Sequence, residues 1–212
     1  FGYDCEASVD NWSCNMGITH PDYDHVHDVC PVTCGLCDDC LSDIYDCNGN
    51  CDGDAVIDEC GVCDGNGPSD NFTCDGTFKP ETKDALQTAV DLWVDDNSSA
   101  LSIYGEINGW DVSLITNMGN LFNNKTTFNS NISNWDVSNV IFMNNMFQDA
   151  EIFNQDISSW DVSNVTVMSG MFRRAYEFSS DLQNWDVSNV TDMTYMFNFC
   201  SYFNSDLSGW DV

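Results

Sequence analysis

The chain has 212 residues, 35 Asp plus Glu against five Lys plus Arg, a formal net charge of −30, and 42% apolar residues. So few cations exclude a nucleic-acid or other phosphate-binding surface as the main function, because counterion release needs clustered Lys and Arg, and they argue against docking on anionic membranes. The acidic surface favours divalent cations, basic partners or high ionic strength instead.

Eleven of the 12 Cys lie before residue 75, a density that points to disulfides and an oxidising compartment. Cys5, Cys14, Cys30, Cys34 and Cys37 mark a first module over residues 1–37. Cys40, Cys47, Cys51, Cys60, Cys63 and Cys74 mark a second over 38–77, with too few apolar residues for a core of its own, so that disulfides must hold it. Cys34-x-x-Cys37, Cys60-x-x-Cys63 and the nearby His20, His25 and His27 also have the spacing of zinc ligands, but in an oxidising compartment disulfides are the better reading. Within the second module Asp46, Asn48, Asn50, Asp52, Asp54 and Asp58 supply oxygen ligands of the kind calcium takes, which makes calcium the one cofactor candidate here. The competing reading is a solvated acidic linker.

The next element is a helix predicted over Thr82 to Val94. Ala85, Leu86, Ala89, Val90 and Trp93 recur at three- and four-residue intervals, and Pro80, Glu81 and Asp84 suit its N-terminal end. We assign residues 78–98 as an N-terminal cap.

From there the chain is periodic. Trp-Asp-Val occurs at Trp110, Trp135, Trp160, Trp185 and Trp210, 25 residues apart each time. Apolar columns follow two residues after each Trp, and five, eight, eleven, twelve, eighteen and twenty-two residues after each of the first four. A fixed period of this size means an array whose neighbours stack to bury a shared core. The fold class expected is a repeat solenoid over residues 99–212, starting near Ala100, Ile103 and Ile107. Trp-Asp-Val alternates as a strand does, so these segments are expected to stack as short parallel strands. The Val-Thr-x-Met-x-x-Met-Phe stretch is expected to form a short α or 3₁₀ turn. The N-terminal Cys modules are expected to be poor in secondary structure.

At this point resemblances become visible. Trp160-Asp-Val-Ser-Asn-Val-Thr-Val-Met-Ser-Gly-Met-Phe172, with Ile157 before it, resembles BspA-type leucine-rich repeats, and Phe78 to Trp93 resembles that family's leader. The resemblance implies a leucine-rich-repeat-like solenoid, surface exposure and a role in adhesion or structure rather than catalysis. Cys30-Pro-Val-Thr-Cys34-Gly-Leu-Cys37 resembles the end of ShK-toxin-like domains, although five Cys stand where that family has six, and no Lys is present to carry a toxin's channel-blocking role. Residues 58–67 resemble the Cys-Gly-Val-Cys spacers of extracellular multidomain proteins, and the Asp/Asn/Gly spacing resembles thrombospondin type 3 calcium loops.

Asp111, Asp136, Asp161, Asp186 and Asp211 form an outward column. Carboxylates stacked about 4.8 Å apart repel by roughly 1 kcal/mol per neighbour in water. Ser two residues on, or local N–H groups, are expected to offset that, with calcium along the ladder as the alternative. Seven of the eight Met fall in inward columns beside Phe and read as packing rather than copper ligands. Cys200 stands in the column of Ala150 and Ala175 and reads as a buried free thiol, which leaves one unmatched Cys upstream for an interchain disulfide or a free thiol. Of seven Asn-x-Ser/Thr sequons, Asn11, Asn71, Asn97 and Asn124 are the glycosylation candidates, whereas Asn164 and Asn189 share a column and read as turn residues.

The function expected is an extracellular or cell-surface protein, non-enzymatic, that uses its repeats for contact with other protein chains. It is not expected to bind nucleic acid or to insert into a membrane, since no stretch of about 18 apolar residues occurs. Phe1 reads as the start of a mature chain or of a fragment. The alternative is a filament protomer, self-associating through the last repeat at Trp210 to Val212. A secreted hydrolase using paired carboxylates is the remote third.

Overall fold

A computed structural model describes residues 46–50 and 53–211, and the chain divides into two compact units after Gly67. The expectations for the first Cys module, for Asn11 and for Asp52 lie outside the described residues, as do Cys5, Cys14, Cys30, Cys34, Cys37, Cys40 and Cys51.

The described part of the first unit is two copies of one loop. Asp46 N–H donates to Asn50 O at 3.0 Å and Gly49 N–H to Asp46 O at 2.9 Å. Twelve residues on, Asp58 N–H donates to Val62 O at 2.9 Å and Gly61 N–H to Asp58 O at 3.0 Å. Cys47 is disulfide-bonded to Cys63.

The second unit begins with a third loop of the same design. Thr73 N–H donates to Thr77 O at 2.9 Å and Gly76 N–H to Thr73 O at 3.0 Å. The fourth residue of each loop, Gly49, Gly61 and Gly76, has φ of 79°, 77° and 83°, a left-handed conformation that a Cβ would strain.

Helix α1 spans Lys83–Asp95, with Thr82 as its N-cap accepting from Ala85 N–H at 3.2 Å. Its Leu86, Ala89, Val90 and Trp93 face inward. Asp96 ends α1 and caps the next helix, α2, over Asn97–Tyr104, its carboxylate accepting from Ser99 N–H at 3.1 Å. A 3₁₀ turn over Ile107–Gly109 leads into the first Trp. Ala100 and Ile107 are buried in their expected columns, but Ile103 is not: it is 53% exposed. The chain is still helical there, so Ile103 points to water. Tyr104 packs instead, its ring 4.5 Å from that of Phe78.

In the repeats the inward columns are apolar and closed. Trp110 through Val187 supply a continuous core of Trp, Val, Ile, Met, Leu, Phe and Ala, and no polar residue is buried among the described residues. Two Phe columns run through it. Within a repeat the rings of Phe147 and Phe153 stack at 4.0 Å. Between repeats Phe147 lies 5.6 Å from Phe172, and Phe153 lies 5.9 Å from Phe178.

The backbone bonds that join repeats are not where periodicity placed them. Parallel bridges pair Asn117 with Phe142, Phe142 with Val167 and Val167 with Asp192, seven residues past each Trp. Trp-Asp-Val is not a strand, because its backbone is occupied locally: Trp135 N–H donates to Ile132 O at 3.2 Å, and Val140 N–H to Val137 O at 2.9 Å. The indole crosses to the neighbour instead. Trp135, Trp160, Trp185 and Trp210 donate Nε1–H to the carbonyls of Ile107, Ile132, Ile157 and Leu182 at 2.7–3.2 Å.

The stretch expected to be a short helix is a chain of linked turns, and it carries the ladder. Met143, Asn145, Phe147 and Asp149 donate their N–H groups to Val167, Ser169, Met171 and Arg173 of the next repeat at 2.8–2.9 Å. Met146, Gln148 and Ala150 close local turns at 3.1–3.2 Å. Left-handed residues interrupt any helix at two columns: Asn120, Asn145, Gly170 and Tyr195 in one, Asn124, Asp149, Arg174 and Phe199 in the other. Gly170, with φ of 62°, also lies where a Cβ would come within 2.3 Å of Asn145 Oδ1.

Candidate interaction surface

The ladder has a direction, and α1 meets it at one end. In later repeats the carbonyls of Asn144 and Met146 accept from the preceding repeat's Asn120 and Phe122 at 2.9 and 2.8 Å. Their first-repeat equivalents, Gly119 and Leu121, have no preceding repeat. Lys83 Nζ donates to Gly119 O at 2.6 Å, and Gln87 Nε2 to Leu121 O at 3.0 Å. Four residues apart on one helix face, these two side chains replace backbone donors. Sequence reasoning found the helix but missed this role, because only the apolar face leaves a periodic signal.

The outward Asp column is pinned locally. Asp111, Asp136, Asp161 and Asp186 accept from the backbone N–H of Ser113, Ser138, Ser163 and Ser188 at 3.1 Å each, and from the same hydroxyls at 2.5–2.7 Å. The Ser163 and Ser188 bonds hold the Asp161 and Asp186 carboxyls below the ordinary value. At Asp111 burial pushes upward, and Lys79 at 2.8 Å with Ser113 outweighs it, so the net shift is down.

Beside this column runs a second one the sequence reading did not single out as a ladder. Asn139, Asn164 and Asn189 donate Nδ2–H to the carbonyls of Ser113, Ser138 and Ser163 at 2.8–2.9 Å. Asn164 and Asn189 therefore use in stacking the very nitrogen a glycan would need. A third column, Asn131, Asp156, Asp181 and Asp206, accepts the N–H two residues on at 2.9–3.0 Å.

Among the glycosylation candidates, Asn97 is exposed in the first turn of α2. Asn124 is exposed but left-handed, with Nδ2–H donated to Asn123 at 2.7 Å. Asn71 is half-buried and accepts from Glu81 N–H at 3.0 Å.

In the first unit the expected calcium ligands are divided. Asp46 accepts from the N–H of Asn50 and Asn48 at 2.8 and 2.9 Å, and Asp58 from Val62, Gly67 and Cys60 at 2.8–2.9 Å. These bonds hold both carboxyls below the ordinary value, Asn50 and Val62 contributing most. Gly53 and Gly65 lie against these carboxylates, where a Cβ would fall 2.0 and 2.1 Å from an Oδ2. Both Asp side chains thus close turns, while Asn48 and Asp54 are exposed. Among the described residues no three His, Cys, Asp or Glu side chains converge in a metal-holding cluster.

Cys60 and Cys74 are also disulfide-bonded. Cys200 is free and half-buried, its Sγ donating to Ala175 O at 3.2 Å, and burial pushes the thiol up to about 11.

Four of the five cations are held by oxygen partners within the chain. Lys79 pairs with Asp111, Lys125 with Asp91 at 2.9 Å, and Arg174 with Asp149 at 3.4 Å. Lys83 caps the ladder, and Arg173 lies 5.9 Å from the ring of Tyr195. Among the described residues the surface is mostly hydroxyl, amide and carboxylate, with exposed apolar side chains such as Leu114, Ile152 and Tyr202. No helix among the described residues is long and apolar enough to cross a membrane.

Residues 94–211 match a family described as "Mycoplasma protein of unknown function, DUF285", which is more than half of the chain. No curated protein and no solved structure matches it.

Proposed function

The chain belongs to the DUF285 family, and from that premise we propose that it is an extracellular or cell-surface protein without enzymatic activity, whose repeats form a leucine-rich-repeat-like solenoid used for contact with other molecules. The observation that carries this reading is the surface itself. Repeats joined by backbone, indole and Asn ladders turn recurring polar columns outward, and Lys79, Lys125 and Arg174 are spent on internal pairs. Such a surface is rigid and regular, suited to repeated weak contacts. The resemblance of Trp160 to Phe172 to BspA-type repeats points the same way. The disulfides at Cys47, Cys60, Cys63 and Cys74 fit an oxidising compartment.

The test is accessibility on intact source cells. An antibody against the repeats should label unpermeabilised cells, and external protease should remove the label. Labelling that requires permeabilisation would sink the reading.

A further inference from the structure

We propose that Asn131 carries an N-linked oligosaccharide. The proposal rests on the cell-surface reading, because the chain must pass through a glycosylating compartment, and it adds a modification site within the repeats.

Six of the seven sequons lie among the described residues: Asn71, Asn97, Asn124, Asn131, Asn164 and Asn189. A sequon has two chemical parts, the amide nitrogen that takes the sugar and the hydroxyl two residues on. In five of the six the fold uses one part or both. Asn164 and Asn189 give Nδ2–H to Ser138 O and Ser163 O at 2.8 Å, and the hydroxyls of their Thr166 and Thr191 go to Ile141 O and Thr166 O at 3.3 and 3.1 Å. Asn124 gives Nδ2–H to Asn123 at 2.7 Å. In the Asn71 and Asn97 sequons the hydroxyl is taken, that of Thr73 by Thr77 O at 3.2 Å and that of Ser99 by Asp96 at 2.6 Å. Among the described sequons Asn131 alone keeps both parts open. It is exposed, and neither its Nδ2 nor Ser133 Oγ makes a hydrogen bond among the described residues. Only Oδ1 is used, accepting from Ser133 N–H at 2.9 Å.

The column supplies an independent observation. Asp156, Asp181 and Asp206 hold the same turn in later repeats with a carboxylate, each accepting the N–H two residues on at 3.0 Å. The turn needs an acceptor and nothing else, so the amide nitrogen of Asn131 is surplus to the fold.

An oligosaccharide leaves that turn intact. The new bond joins Nδ2 to the sugar's anomeric carbon. The bond from that carbon to the pyrophosphate of a lipid carrier breaks, and the pyrophosphate leaves with the electron pair. Nδ2 gives one proton to a base of the transferase and keeps the other. Oδ1 remains a carbonyl oxygen and still accepts from Ser133. Transfer can precede stacking, so the fold acts by deciding which modified chains can stack. A sugar on Asn164 or Asn189 would stand on a nitrogen held 2.8 Å from a carbonyl of the preceding repeat, whereas on Asn131 it stands in water.

The test takes the full chain from its source cells and, in parallel, secreted with its variants from a eukaryotic host. Peptides are read by mass spectrometry before and after enzymatic release of N-linked glycans in heavy-oxygen water. The Asn131 peptide should carry a glycan and the Asn164 and Asn189 peptides none. Asn131→Asp keeps the turn's acceptor, as the later repeats do, and Ser133→Ala keeps its backbone donor. Each should lose one glycan's mass from the intact chain, with the melting temperature of the deglycosylated protein unchanged, and Ser133→Thr should keep the glycan. Should one variant fail to fold, the other reads the same loss. A bare Asn131 from either source, an intact mass unmoved by both variants, or a glycan on Asn164 or Asn189 of the folded chain would each overturn the proposal. Bare Asn131 on a chain that antibody labels on intact cells overturns the glycan alone, whereas labelling only after permeabilisation sinks the surface reading.

Discussion

The loops of residues 46–67 and the repeats after Trp110 use the same device to opposite ends. In both, an Asp carboxylate collects nearby N–H groups: Asp58 those of Cys60 and Val62, Asp161 that of Ser163. In the loops this is the main local order, because Val56, Ile57 and Val62 are 56–71% exposed and none of the described residues of 46–67 is buried. In the repeats the same turn sits on a column of fully buried Val, Met and Phe. The carboxylate turn thus shapes a chain but does not hold it. Disulfides hold the first region and burial holds the second, since small core-poor segments need covalent staples and stacked repeats do not.

The largest expected effect tests the second half of that contrast. Phe147→Ala removes a ring stacked on Phe122, Phe153 and Phe172, and should destabilise the repeats by about 3–5 kcal/mol in chemical denaturation, leaving the loops' exchange protection unchanged. Cys47→Ser tests the first half. Losing the bond to Cys63 should cost about 2–5 kcal/mol, read as lost amide protection in residues 46–67, while Met143 and Phe147 stay protected. Loss of protection in both regions at once would mean that the two units are one cooperative structure.

Smaller effects sharpen the role of side chains in stacking. Trp160→Phe leaves Ile132 O without its indole donor, and should cost about 1–3 kcal/mol. Phe199 is left-handed in a column that elsewhere holds Asn124 and Asp149, so Phe199→Asn should stabilise by about 0.5–1 kcal/mol, measured as a raised Tm. The smallest is pH. Asp161 and Asp186 have folded values below 3.8, held down by Ser163 and Ser188. The unfolded chain protonates first on acidification, so their contribution is complete above that value and is lost as pH falls through the lowered folded ones. Ser163→Ala with Ser188→Ala should flatten the acid limb of a Tm-against-pH curve below about pH 4.

Much of the candidate surface was legible. The Asp–Ser turn follows from spacing, because an Asx side chain reaches the N–H two residues on whatever lies around it. Thr82 to Val94 reads as a helix, and the structure places it at Lys83–Asp95. The Asn139, Asn164 and Asn189 ladder was not legible. Its acceptors are backbone carbonyls 26 residues earlier, and a carbonyl is the same at every residue. The equivalence of the loops at Asp46, Asp58 and Thr73 was hidden because the one residue common to all three is the fourth, Gly49, Gly61 and Gly76, while the shared element is a backbone turn.

The order of residues alone specifies the period and which columns turn inward, because burial rewards apolar side chains wherever they recur. It does not specify which stretch bonds to the next repeat. Trp-Asp-Val and the Met-Phe stretch are both compatible with a ladder by periodicity. The choice fell to the second on stacking, where alternating left-handed residues such as Asn145 and Asp149 aim every other N–H at the neighbour. At Trp-Asp-Val the backbone closes on itself, and the indole makes the crossing.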